Sequence, residues 1–371
     1  MQVTIKEVIS KSDLKKFIKF PHKLYKDNKQ YVPQLDSQEY KILTQSPSLE
    51  YCTIKKWMAY SPDGEIIGRI AAILNPRANE CHSYKRLRFG WFDFIDNKDV
   101  AKALMNTAEE WGRSMGLTEI HGPLGYNTWN RQGMMIECFE NTPPVNCLYN
   151  HPYYPTFMDD MGFVKEVDWI QVRLEISQGV PDKLVRIHDL LLEKYGLSYL
   201  EVKKLKDRKD LIKSFFEGYN ESFKAVDNFI PLTEKEIDDI VKNYFPLLRQ
   251  ELSCFIMDKD NNVAAFSVCF PSMSKAFQKA KGKLFPFGWY HLYKAFNNYD
   301  TIDFMMSGAF PEWQSKGLSS MYHTYMDRSL KGREVKYGIT NPQGDTNSAY
   351  KVWGRYTFEP YMRRRCYIKP L

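Results

Sequence analysis

Several kinds of protein are set aside by what this sequence lacks. None of its apolar runs approaches the roughly 20 residues that a membrane-spanning helix needs, so no membrane partner is expected. Its seven cysteines stand at 52, 81, 138, 147, 254, 269 and 366, an odd number with no pair at a metal-ligand spacing such as C-x-x-C. No metal is expected from them. Cys269, within Ala-Phe-Ser-Val-Cys-Phe, reads as a small core residue in a reduced compartment. Low-complexity tracts, coiled-coil heptads and basic arms are missing as well. The start, Met-Gln-Val-Thr-Ile-Lys-Glu-Val, alternates like a strand and has no charged-then-apolar signal pattern, so the expectation is a cytoplasmic protein.

What remains is ordinary globular material. The 371 residues are 43% hydrophobic and 26% charged, enough for two cores and long enough for two domains. Aromatics reach 15%, which fits well-filled cores or a lined groove. The net charge of +7 favours anionic ligands without naming one. The basic residues are scattered except for Arg363, Arg364 and Arg365, which read as a solvated strand end.

The order of elements repeats. Trp57–Tyr60 and Ile66–Ile73 flank Asp63-Gly64, a hairpin signal. Ser253–Met257 and Val263–Phe270 flank a second polar turn, Asp258–Asn262. Each hairpin precedes a strand, a helix and a strand: Phe89–Ile95, Val100–Ser114 and Leu117–Gly122 in the first half, Ile302–Ala309, Leu318–Leu330 and Val335–Thr340 in the second. Both halves go on to an Asn-led helix, at Asn150 and Asn347, and an aromatic strand near Phe163 and Phe358. The join falls in Ser177-Gln-Gly-Val-Pro181. The reading is two α/β domains, residues 1–180 and 181–371.

The chemistry concentrates after Met305-Met-Ser-Gly-Ala309, where Phe310-Pro-Glu-Trp-Gln314-Ser315-Lys316-Gly317-Leu318-Ser319 leads at once into a helix. Such a turn aims unpaired backbone N–H groups and the positive end of the helix dipole at one point, an anion site suited to a diphosphate. Gly317 permits close approach, Lys316 adds charge and Ser319 is small. On the residues alone a plain structural turn fits as well. The matching first-half stretch, Ile95 to Val100, has no glycine and carries Asp96 and Asp99. Like charges a few ångströms apart cost on the order of a kcal/mol even when screened, so a diphosphate is not expected there. Acidic residues are also simply good capping chemistry at a helix start.

Here the sequence resembles the GNAT acyltransferase superfamily, whose pyrophosphate loop reads Gln/Arg-x-x-Gly-x-Gly/Ala. Gln314-Ser-Lys-Gly317-Leu-Ser319 is similar, with Ser in the last place, and Asn347 to Phe358 resembles the family's Asn-led helix and closing aromatic. The resemblance covers roughly residues 195–371. It implies two GNAT-like domains, the first degenerate, each a splayed mixed β-sheet flanked by helices. It implies acetyl-CoA or another acyl-CoA as co-substrate, held by Ala309, Phe310, the loop Gln314 to Ser319 and Asn347. The reaction implied is direct attack of an amine on the thioester, giving an N-acyl, most simply N-acetyl, product. The family's tyrosine that protonates the thiolate has Trp353 in its place. Tyr350 is the nearest substitute, against a reading as a packed helix residue, and Tyr356 lies on the other side. Asp303 is a candidate base or amine-binding group, against a reading as a solvent-facing strand-edge residue.

The excursion from Tyr126 to Val145 offers Tyr126, Trp129 and Arg131 as acceptor-contacting residues, or else merely seals a surface. His121 and His151 carry no metal spacing and read as structural. Two other functions stay open. A Fem-type transferase is a tandem of such domains that takes amino acids from tRNA. A non-catalytic acyl-CoA sensor or interaction protein could be built on the same fold.

Overall fold

The Asp63-Gly64 turn takes the shape its sequence demands, with Gly64 at φ +82° and the strands on either side paired from Thr53↔Leu74 to Tyr60↔Ile66. The computed structural model describes residues 1–205, 208–224, 226–346, 353 and 356–371. Two compact units are present. The first comprises Met1–Ile170, Met273–Ala295 and Met362–Leu371, the second Gln171–Ser272 and Phe296–Tyr361.

In chain order the elements begin with β1 (Thr4–Glu7), α1 (Lys11–Leu24), α2 (Asp36–Gln45), β2 (Thr53–Tyr60), β3 (Ile66–Leu74) and α3 (Pro76–Cys81). Next come β4 (Arg86–Phe94), α4 (Lys98–Ser114), β5 (Glu119–Gly122), β6 (Met134–Glu137), α5 (Tyr153–Asp160) and β7 (Val164–Glu175). The middle of the chain forms α6 (Asp182–Tyr195), β8 (Ser198–Tyr199), α7 (Val202–Leu205), α8 (Lys209–Ser222), α9 (Glu234–Tyr244), β9 (Ser253–Met257) and β10 (Val263–Pro271). The last elements are α10 (Ser274–Ala280), α11 (Gly288–Asn297), β11 (Thr301–Ala309), α12 (Ser319–Leu330), β12 (Tyr337–Ile339), β13 (Gln343–Gly344) and β14 (Phe358–Pro370).

The first unit's sheet runs β1-β2-β3-β4-β5-β14-β7, and the second unit's runs β8-β9-β10-β11-β12-β7. Both are mixed: β4 is parallel to β5 and β11 to β12, whereas the hairpin ladders are antiparallel. The two sheets thus repeat one plan, and helices supply their cover. In the first unit α4 turns Val100, Ala101, Leu104, Met105 and Ala108 onto the sheet, where they meet Ile70, Leu87, Phe89 and Phe94. Burying each such side chain contributes about 1.5–3 kcal/mol. In the second unit Met321 of α12, its N-cap residue Leu318 and Leu191 of α6 cover Cys254, Ile256, Ala264 and Ala265.

Each sheet borrows a strand. β5 is flanked by β14 from the end of the chain, paired Tyr367↔Gly122 to Pro370↔Glu119. β12 is flanked by β7 from the first half, paired Tyr337↔Glu175 to Ile339↔Arg173. This location corrects the reading of the three arginines as a solvated strand end. β14 is an interior strand, so Arg364 is wholly buried and donates to Leu148 O at 2.6 Å. Arg363 and Arg365 meet the buried carboxylate of Asp168 at 3.0 and 2.7 Å. Removing one partner of a buried pair costs about 3–5 kcal/mol. The first Asn-led helix also starts later than expected, at Tyr153, because Asn150 is spent on β6, bonding Met135 N and O.

A fragment of residues 1–180 lacks β14, and with it the strand that pairs β5. Expressed alone it should show no cooperative thermal transition by circular dichroism, whereas the whole chain should. A sharp transition in the fragment would mean that the first sheet does not depend on β14.

Candidate functional site

In the second unit a central strand is only partly paired. The parallel ladder between β11 and β12 holds Thr301↔Tyr337, Ile302↔Gly338 and Asp303↔Ile339 and then stops. β11 carries a bulge at the next step, since Phe304 faces Cys269 while Met306 faces Val268. Bulges bend and twist a strand, and this one lies where β11 leaves β12. Among the described residues Met306–Ala309 are strand-paired to β10 alone. Met305 to Ala309 are accordingly partly exposed although they lie mid-sheet. The result is a slit lined by backbone, of a kind suited to an extended amide-bearing chain.

The slit leads to the loop singled out in the sequence. Phe310 N–H is committed to Ala264 O at 3.0 Å, and its ring packs on Phe215 and Phe266, so it serves as an anchor rather than a free donor. Gln314 Nε2 reaches back to Ala309 O at 3.4 Å. Ser315 and Gly317 then take positive φ values of +61° and +82°. The helix α12 follows with Leu318 as its N-cap and no side-chain capping bond. Among the described residues the amides of Ser315, Lys316, Gly317, Leu318 and Ser319 meet no acceptor. Lys316 sits over the Trp313 ring at 4.5 Å, which holds its ammonium at the loop. Unsatisfied N–H groups at a helix start are an anion site. A Cβ on Gly317 would point at Ile187 and Leu191 with ordinary spacing, so the glycine is needed for its left-handed backbone and not for room.

Asp303 ends the β11–β12 ladder. It is not the solvent-facing residue weighed in the sequence. Its Oδ1 is sealed from water and has no partner among the described residues, and burial pushes its carboxyl up to about 7, opposed by a hydrogen bond with Ser272. A carboxyl poised near neutrality is what a general base requires. The sequence reading missed Tyr322, which burial pushes up to about 12 and which shares a hydrogen bond with Ser307 on the slit strand. Its sequence signal was only its place one turn into the helix after the loop. Trp353 is buried and donates to Gln343 Oε1 at 3.0 Å, stacking edge-on with Phe304 and His323. Tyr350 and Asn347 lie outside the described residues.

The first unit repeats the geometry and closes it. The β4–β5 ladder also holds three pairs, Arg86↔Glu119 to Arg88↔His121, and β4 is also bulged, between its pairings with Arg69 and Ala71. Here the chain itself enters the gap. Leu124 N–H donates to Phe89 O at 2.8 Å, and Arg88 Nη1 donates to the Gly125 and Tyr126 carbonyls at 3.1 and 2.9 Å. Gly122 allows this, since a Cβ there would stand 2.3 Å from Phe89 O. Phe94 N–H donates to Tyr154 Oη at 2.8 Å. At the start of α4 the Asn97 carbonyl accepts from Asp99 and Val100 N–H at 3.0 and 3.3 Å, and Asp99 holds the terminal ammonium at 2.7 Å.

Of the acceptor candidates, Tyr126 is buried against Cys52, Ile73 and Trp91, Arg131 is paired with Glu39, and Trp129 belongs to the same excursion. All three belong to the first unit and the loop to the second, so neither unit by itself brings them together. His121 Nδ1, Glu166 and Cys366 Sγ converge within 4.8 Å in the first unit. Arg86 already holds Glu166 at 2.6 Å, so a guanidinium occupies the carboxylate that a cation would need.

Comparison with known proteins places this architecture. No protein-family model matches the chain. It is 25% identical to protein YghO of Escherichia coli K12 over 100% of its own length and 96% of that protein. It is also 25% identical to a bacterial ceramide synthase of Caulobacter vibrioides, over 75% of its length and 72% of that protein. Among solved structures, a tandem GNAT protein from the clavulanic acid biosynthesis pathway superposes with a TM-score of 0.58 at 11% identity, covering 100% of this chain and 98% of the other. The class defined by the two sheets is therefore the GNAT fold. This chain carries it twice, as a tandem GNAT fold.

The buried Asp303 sets a stability test. An unfolded aspartate titrates near 3.9, and the folded group near 7. Its stabilising contribution is fully present below about pH 4 and is lost as pH rises through 7. Asp303→Asn should therefore gain stability over the wild type progressively between pH 4 and 7, with a constant gain above that. Denaturant midpoints across pH decide it, and a pH-independent difference would place the carboxyl in water.

Proposed function

We propose that the protein is an N-acyltransferase that moves an acyl group from acyl-CoA to an amine, with one CoA site per chain, in the second unit. The observation that carries this reading is the contrast between the gaps: among the described residues nothing fills the second slit or meets its helix amides, while the first gap is filled from within. Pantetheine fits the slit beside Met306–Ala309, and the diphosphate fits the amides of Ser315 to Ser319 with Lys316 beside them. The likeness to a ceramide synthase moves the acyl group from acetyl toward a fatty chain, since ceramide is a fatty amide.

An amine arrives mostly as its ammonium. Asp303 removes that proton, and the freed nitrogen lone pair attacks the thioester carbonyl. The C–N bond forms, the C–S bond breaks, and the thiolate of CoA leaves with its electron pair. That thiolate takes a proton from Tyr322, a phenol kept neutral by burial and hydrogen-bonded to the slit strand, and the second proton shed by the nitrogen as the amide forms restores the phenol. Most of the rate then comes from positioning plus proton transfer, the latter contributing typically 10²–10⁴-fold.

Two measurements test the reading. Calorimetric titration with CoA should give one equivalent per chain. Gly317→Glu should abolish that binding while the protein remains folded, because an L residue strains the left-handed turn that aims the amides. Two equivalents, or unchanged affinity in the variant, would overturn the site. Thiol release from acetyl-CoA and palmitoyl-CoA with long-chain amines should favour the longer donor. Asp303→Asn should cut kcat by about 10²–10⁴ and remove the acid limb near pH 7 from the rate profile.

A further inference from the structure

Helices on a protein surface normally turn their apolar side inward, and α11 does the reverse. Gly288 is buried, while Trp289, Tyr290 and Tyr293 are 51, 49 and 65% exposed. The turn before it adds Phe285 at 77% and Phe287 at 70% exposed. Large apolar side chains grouped in this way mark an interaction surface rather than scattered exposure. The projection is firmly mounted on the first unit. Ser274 Oγ donates to Pro143 O at 2.8 Å, Gln278 Nε2 to Lys29 O at 2.8 Å, and Asp36 N–H to Gly282 O at 2.9 Å. Trp289 is itself braced, with N–H to Leu284 O at 2.8 Å and Nε1 to Pro286 O at 2.9 Å.

The charges around the patch identify its partner. Residues 261–299 contain no Asp, Glu or Arg. Lys275, Lys279, Lys281, Lys283 and Lys294 are all exposed. Protein–protein interfaces favour Arg and are depleted in Lys. Aromatic residues together with lysines are the composition that settles at a lipid headgroup layer, and lysines near an anionic leaflet are drawn to it electrostatically. We propose that Phe285, Phe287, Trp289, Tyr290 and Tyr293, together with the exposed lysines of the same stretch of chain, dock the protein peripherally on an anionic membrane surface. A peripheral contact needs no spanning helix, so the short apolar runs of the sequence do not oppose it. The proposal stands on this patch alone and does not depend on acyl transfer.

Flotation of the full chain tests it, using vesicles of phosphatidylcholine alone and vesicles of equal parts phosphatidylcholine and phosphatidylglycerol. The wild type should float with the mixed vesicles, less as salt is raised, and poorly with phosphatidylcholine alone. F285S/F287S should lower the bound fraction about ten-fold or more, since both rings supply buried apolar area. K279E/K281E/K283E should erase the preference for the anionic vesicles. Circular dichroism should show both variants folded, because the altered side chains are exposed. No flotation of the wild type with mixed vesicles, or equal flotation of F285S/F287S, overturns the proposal. So does a dimer in sedimentation that F285S/F287S splits, which would make the patch a self-association face.

Discussion

A strand in the middle of a sheet must satisfy its backbone N–H and C=O groups on both edges, and among the described residues two central strands lose one strand partner after three residues. Buried backbone groups left without partners are costly, so each gap demands an occupant. The first unit answers from within: Gly122 lets Leu124 and its neighbours enter beside Phe89, and Asn97 caps the following helix. The second unit provides no such insert among its described residues, and its helix α12 has an apolar cap residue, Leu318, that is occupied in the core. The structural difference between the two gaps thus reduces, among the described residues, to which of them supplies its own hydrogen bonds.

Much of this was legible in the sequence because it depends on local chemistry. Asp63-Gly64 marked one hairpin, the period of Val100, Leu104 and Ala108 marked α4, and Gly317 before a helix marked the loop. The capping Asn97, with its carbonyl on Asp99 and Val100, is a more local reason for the closed first loop than the charge repulsion inferred from Asp96 and Asp99.

What could not be read is non-local. β14 and β7 end in sheets whose other strands lie far away along the chain, and strand order depends on pairing energies that no window of sequence contains. Arg363 to Arg365 looked like a wet terminus because a run of three arginines is usually solvated, yet Asp168, almost two hundred residues earlier, receives two of them. Tyr126 looked available in a polar-aromatic stretch and is instead core, against Cys52 and Ile73. The outward aromatics of α11 had no signal in the sequence, since which side of an apolar stretch its neighbours cover is decided by distant parts of the chain.

The second unit also concentrates the groups that folding alone would not choose. Asp303 keeps a desolvated carboxyl, the loop holds Ser315 and Gly317 in left-handed conformations, and the amides of residues 315–319 lack acceptors. The first unit pairs its corresponding groups and packs Tyr25, Asp93 and Tyr154 into a hydrogen-bonded set at 2.9 and 3.0 Å. Strained backbone and a desolvated carboxyl persist where the surrounding structure holds them in place, and such features gather at ligand sites. A ligand with an anionic end and an extended hydrogen-bonding chain is the kind of molecule that the exposed strand edge and the loop amides could satisfy together.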